Sequence, residues 1–180
     1  MALTLSPGEV KEALRELAKR LNADEVEATF YLMGGAAMCI GYLPDRRQTD
    51  DVHVKVEGFE RIEPIVQAIA GERGYRPDWV NTSASKLISQ MNDEADWVLW
   101  ERLGAVTFYI ASAPLLLAMK VAAARPNRDI TDIERLLVLL NIKTWDEIQE
   151  NFEHYLPGEL PTLKAESLVR AILGKISQSN

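Results

Sequence analysis

The sequence predicts an α/β (α+β) lobe over residues 1–111, a sheet with flanking helices, followed by a helical lobe over 112–180. Two observations carry this. Runs rich in apolar, β-branched or aromatic residues occur at 29–33, 51–56, 75–80, 96–100 and 106–110, with helical periodicity or turn residues between them. From Ser112 onward only helical spacing remains. The length of 180 residues suits one domain, or two tightly packed lobes making a single compact unit.

The elements follow in order. Ser6, Pro7 and Glu9 form a capping box with proline in the first turn, and Val10, Leu14, Leu17 and Leu21 keep helical spacing behind it. An acidic stretch, Asp24, Glu25 and Glu27, leads into the first strand at 29–33. Gly34 and Gly35 then turn the chain into a short alanine-rich helix, and an Arg/Pro loop returns it to the strand opened by Asp51. A helix begins at Gly58, with Pro64 confined to its first turn or kinking it, and Gly71 and Gly74 end it. A short strand is expected at 75–80 and a weak helix or loop at 83–91. The runs at 96–100 and 106–110 read as a hairpin joined through residues 102–104. Ser112 can cap a helix apolar almost all round at 115–124, broken at 125–128. Asp129 starts the next, Thr144 and Glu147 form a second capping box, and Thr162 caps the last.

Composition excludes several classes. Apolar residues make up 47% and charged residues 26%, an ordinary globular mixture. The net charge of −7 argues against broad, sequence-independent coating of nucleic acid, though not against a local basic patch at Arg46, Arg47, Arg125 and Arg128. Cys39 is the single cysteine, so a reducing, cytoplasmic setting is expected, and no apolar run reaches membrane length.

The chemistry concentrates at 31–56. Without Cβ atoms, Gly34 and Gly35 let the backbone turn sharply and approach a ligand, and the helix behind them offers free N–H groups suited to phosphate. Their plainer role is to join strand to helix. Asp51 and His53 lie two apart on one strand, so their side chains share a face opposite Val52, Val54 and Val56. A carboxylate there serves a hard divalent cation; equally, it ends a strand in water. Lys120 is the one charge between Ala113 and Ala124, and it needs a partner or an exit to solvent by snorkelling.

These residues resemble the signature of the DNA polymerase beta nucleotidyltransferase superfamily, a Gly-Gly turn followed by a strand carrying Asp-x-Asp. They are most similar to small bacterial AbiEii-type toxin nucleotidyltransferases, which read roughly GGxA…RxTxDxD and then LLAMK…AxR…RD…DI. The counterparts are Gly34, Gly35, Ala37, Arg47, Thr49 and Asp51, then residues 116–120 ending in Lys120, followed by Arg125, Arg128, Asp129 and Asp132. The resemblance covers about two thirds of the chain, and it departs from the family at His53, where the second Asp belongs.

The resemblance implies a nucleotidyltransferase-like mixed sheet, with the two motifs facing across the lobe junction. It implies a nucleoside triphosphate (NTP) with Mg²⁺ or Mn²⁺ and transfer of a nucleoside monophosphate to a hydroxyl of RNA or protein. It also implies a toxin–antitoxin-like context with a cognate antitoxin or toxin protein. Asp51 and His53 fall at the metal position; Lys120, Asp129 and Asp132 at catalytic positions; Gly34, Gly35, Thr49, Arg125 and Arg128 at the nucleotide. Each has a plainer alternative. Thr49 caps a turn, Asp129 caps a helix, and Asp132 answers the helix dipole. The third carboxylate of the family has no clear counterpart, with Asp96 the best candidate. Imidazole is a poor Mg²⁺ ligand and a better one for Zn²⁺ or Mn²⁺. His53 therefore leaves open another metal, nucleotide binding without efficient transfer, a crippled enzyme, or a histidine that only hydrogen-bonds its neighbours. The rival class is a catalytically degenerate binding or antitoxin-like regulatory module.

Overall fold

The computed structural model describes residues 4–45, 48–84 and 96–178. The chain divides into two compact units, Met1–Ala111 and Ser112–Asn180.

The first unit is a five-stranded mixed sheet with helices. Helix α1 (Pro7–Ala23) opens on the capping box: Ser6 Oγ accepts from the Glu9 N–H, and the Glu9 carboxylate accepts from the Ser6 N–H. Its buried stripe, including Val10, Leu14, Leu17 and Leu21, packs toward α3 and the hairpin strands. Strand β1 (Ala28–Met33) runs into helix α2 (Gly34–Ala37), which continues as a π-helical turn, Met38–Tyr42. Next come β2 (Val52–Lys55), α3 (Phe59–Arg73), β3 (Val80–Asn81), β4 (Trp97–Leu103) and β5 (Val106–Ala111).

The strand order is β3-β2-β1-β5-β4. β1 is antiparallel to β2 and parallel to β5; β2 is parallel to β3; β4 and β5 form the hairpin. Register accounts for the aromatic packing. Phe30 opposes Phe108 and their rings stack at 5.1 Å, while Tyr31 opposes Tyr109 on the other face at 5.4 Å.

Several expectations are corrected here. The strand foreseen at 75–80 shrinks to Val80–Asn81, because Pro77 has no N–H and the Trp79 N–H closes a turn on the Arg76 carbonyl. Trp79 instead fills the core, its indole N–H donating to the Val66 carbonyl at 2.9 Å. Helix α3 passes through Gly71 and stops only at Gly74, which takes φ +71°. Pro64 lies past its first turn. In the hairpin, Arg102 and Leu103 belong to β4, so the turn is Gly104-Ala105. Residues 85–91 of the weak helix or loop, and Arg46 and Arg47, lie outside the described residues.

The second unit contains α4 (Ala113–Ala123), α5 (Ile130–Leu140), α6 (Trp145–Tyr155) and α7 (Leu163–Gln178). Ser112 caps α4, Thr144 and Glu147 box the start of α6, and Thr162 Oγ1 accepts from the Ala165 N–H at the head of α7. Helix α4 packs against α5, α6 and α7, and α5 against α7, which explains why so much of its surface is apolar. Among the described residues no helix is long and apolar enough to cross a membrane.

Candidate functional site

The first cluster sits where β1 ends beside β2. Met33 pairs with His53 across the antiparallel ladder, so the residue after Met33 lands against the imidazole. That residue is Gly34, at φ +63°, and a Cβ there would stand 3.3 Å from His53 Cδ2. The glycine is thus needed for its left-handed backbone and for the room it leaves to the ring. No side chain caps the helical run that starts here. At its far end a Cβ on Gly41 would run into Ile110, and Tyr42 donates to the Ala111 carbonyl at 2.9 Å.

Asp51 and His53 come together, with His53 Nε2 3.5 Å from Asp51 Oδ1 and both side chains partly exposed. A third residue joins them that the motif did not name. Asn81 on β3 is the register partner of His53. Its Nδ2 donates to Asp51 Oδ2 at 3.1 Å and its Oδ1 lies 2.9 Å from His53 Nδ1. Ser83 completes the group, with Oγ 3.2 Å from Nδ1. The sequence signal for this was slight: a polar Asn-Thr-Ser stretch following Trp79 and Val80.

Thr49 is buried. Its backbone pairs with Leu5 in both directions and its hydroxyl donates to the Asp51 carbonyl at 3.0 Å, so the side chain braces the approach to β2. Asp96 precedes β4, and β4 is three strands from β2. At ~4.8 Å per strand that is about 14 Å across the sheet. Asp96 is no third ligand for the Asp51 position.

The second cluster lies within the helical unit. Lys120 is 3% exposed, its Nζ 2.8 Å from Asp129 Oδ1 and 2.7 Å from Asp132 Oδ2. The snorkelling alternative is therefore overturned: the ammonium finds two carboxylates instead of water. Asp129 also accepts from the Arg125 backbone N–H at 3.0 Å and from its guanidinium at 2.9 and 3.0 Å. Although Asp129 precedes α5, its side chain does not cap that helix, because these cations hold it. Burial pushes its carboxyl up, but Arg125 and Lys120 outweigh that and bring it down to about 2. Arg128 is exposed on the connecting loop.

The donor set can be tested against the metal the resemblance implies. A pair of magnesium ions wants several carboxylate oxygens. Among the described residues of this cluster Asp51 is the one carboxylate within contact of His53 and Asn81, beside an imidazole and an amide already engaged by their neighbours. Among the described residues no three His, Cys, Asp or Glu side chains gather as a metal-holding group. This set of described donors alone does not fit a two-magnesium centre.

No protein-family model matches this sequence, and neither does any curated protein. Among solved structures, that of an antigenic nucleotidyltransferase-like protein from Paracoccidioides brasiliensis is similar at 18% identity, over 94% of this chain and 95% of that one, with a TM-score of 0.49.

Proposed function

We propose that the chain is a nucleotide-binding protein of the nucleotidyltransferase type, taking an NTP as its Mg²⁺ or Mn²⁺ complex beside β2. One observation carries the reading: Gly34, in a left-handed conformation, sets the uncapped start of a helical run against His53, whose ring lies 3.5 Å from the Asp51 carboxylate. Free backbone N–H groups and a carboxylate in one place suit phosphate and the cation that travels with it.

That Asp51 is the single carboxylate of the cluster among the described residues favours a second reading within the same class, a module that binds the nucleotide without transferring it. Transfer of a nucleoside monophosphate to RNA or protein, and a toxin–antitoxin-like role, belong to the stronger form. The sequence motif supports that form, while the donor set does not. With a net charge of −7, an RNA acceptor would have to be held by a local basic patch, and its binding would weaken steeply with salt.

Thermal unfolding with each of the four NTPs, in Mg²⁺ and in Mn²⁺, tests the binding. At a hundredfold excess over Kd, linkage stabilises the fold by about 2.7 kcal/mol. For this length that raises the midpoint by roughly 5–10 °C. Asp51→Ala should shrink the rise. No shift with any nucleotide in either metal refutes the reading. Labelled-NTP incorporation into RNA or protein separates its two forms.

A further inference from the structure

The sheet of the first unit has two unlike faces. On one, Phe30, Leu32, Val52, Val54 and Phe108 are all buried, as a core face should be. The ladder fixes what stands on the other. Tyr31 pairs with Lys55 on β2 and with Tyr109 on β5, and Tyr109 pairs with Leu99 on β4. Residues directly opposite one another share a face, so these four do, and His53 joins them two residues from Lys55. Tyr31 and Tyr109 stack with ring centroids 5.4 Å apart, and Trp97 meets Tyr31 edge-on at 5.0 Å. All three rings remain partly exposed.

Cross-strand pairing explains why the two tyrosines touch. It does not explain three aromatic rings left partly in water on the face that carries His53. Strand β1 lies between β5 and β2, so with Tyr109 against one side of the Tyr31 ring, the other side turns toward β2. The Gly34 turn is close by. Gly34 abuts the His53 ring, and from His53 to Lys55 is two residues, about 7 Å along the strand. That is the order of separation between the phosphates and the base of one nucleotide. The exposed or partly exposed neighbours of the rings on this face are Leu99, Thr29, Thr107, Lys55 and Arg102. A protein partner calls for a broad apolar patch. A small planar ring needs only aromatic faces with a few polar groups about them.

We infer that the side of the Tyr31 ring turned toward β2, backed by Tyr109 and Trp97, is the seat on which the base of a bound nucleotide stacks. Stacking asks only for a π-face, so the seat discriminates little among the four bases. The inference rests on the nucleotide reading for the phosphate end of the ligand and adds the residue that holds its other end.

The test measures binding of ATP, GTP, CTP, UTP and inorganic triphosphate to the full chain by calorimetry, in Mg²⁺ and in Mn²⁺. Each NTP should bind about 5–150-fold more tightly than inorganic triphosphate, the worth of one base on an aromatic ring. Tyr31→Leu should erase that advantage and leave triphosphate binding as it was. Tyr31→Phe, which keeps the ring, should retain it, and circular dichroism checks that both variants fold. In the unsubstituted protein, NMR should show the base protons of a bound NTP shifted upfield, with Overhauser contacts to the Tyr31 ring, so the outcome does not hang on any variant. NTPs that bind no better than triphosphate, a folded Tyr31→Leu that binds them as tightly as the native chain, or base protons remote from Tyr31 would overturn the inference and leave the phosphate site standing. No binding of any of the five would remove the nucleotide reading, and this inference with it.

Discussion

The Lys120 ammonium lies 2.8 Å from the Asp129 carboxylate, with both side chains out of water. Asp132 stands 2.7 Å from the same nitrogen, and Arg125 closes the far side of Asp129. Taking such charges out of water costs several kcal/mol each, and their mutual attraction offsets this only while the set is complete. Asp129→Asn should therefore destabilise the fold by about 3–5 kcal/mol in urea titrations. Lys120→Met should also destabilise, by leaving two carboxylates facing each other. The double variant Lys120→Met/Asp129→Leu should lose less than the sum of its singles; strict additivity would show that the residues do not act as a unit.

The same cluster sets an acid limit. Burial alone would raise the Asp129 carboxyl, but Arg125 and the Lys120 ammonium hold it near 2, against 3.8 when unfolded. A depressed carboxyl stabilises the fold above its unfolded value and loses that contribution as pH falls through its folded one. The window is thus from about pH 5 down to pH 2, and the loss is about 2 kcal/mol. Denaturant midpoints measured across it should fall, and Asp129→Asn should flatten part of the fall. An unchanged slope in that variant would assign the acid sensitivity elsewhere.

What could be read from the sequence depended on how local each cause was. The capping boxes at Ser6 and Thr144 were legible because donor and acceptor lie three residues apart. Asp51 and His53 fell on one face through the period of a strand, and the structure brings them together. Asn81 was invisible because its role comes from β3 pairing with β2, a contact 28 residues apart made by a two-residue strand. Asp129 misled for a related reason. Its place before α5 has the form of an N-cap, while its carboxylate is claimed by Lys120, nine residues back on another helix. The shrunken strand at 75–80 shows apolar residues serving the core from a turn.

Gly34 carries two demands, and they predict one substitution. An alanine at φ +63° costs about 1–2 kcal/mol from the backbone alone. Its methyl would also press on the His53 ring at 3.3 Å. Gly34→Ala should lower the thermal midpoint and shift the His53 ring resonances. Gly174→Ala makes the opposite control, since that glycine lies inside α7 with open space around it. It should stabilise by up to about 1 kcal/mol. A neutral Gly34→Ala with His53 undisturbed would remove the packing argument for the turn.

Asn22 ties the end of α1 to the β4–β5 turn. Its Nδ2 donates to the Ala18 and Leu103 carbonyls, both at 2.8 Å, and its Oδ1 accepts from the Ala105 N–H at 2.9 Å. Gly104, at φ +59°, passes so close that a Cβ would run into the Asn22 amide. Asn22→Ala removes three hydrogen bonds at a partly exposed turn, where water can replace some of them, so a loss of about 1–3 kcal/mol is expected. Asn22→Asp should be no better, because a carboxylate still accepts from Ala105 but cannot donate to Leu103. Gly104→Ala suffers from both the left-handed backbone and the blocked space. Made in the Asn22→Ala background it keeps the first penalty and sheds the second, so the double variant should be more stable than additivity allows. Hydrogen exchange at the Ala105 amide gives the local check. Protection should drop in either Asn22 variant that lets the turn loosen, and most in Asn22→Ala, which leaves that N–H without its acceptor.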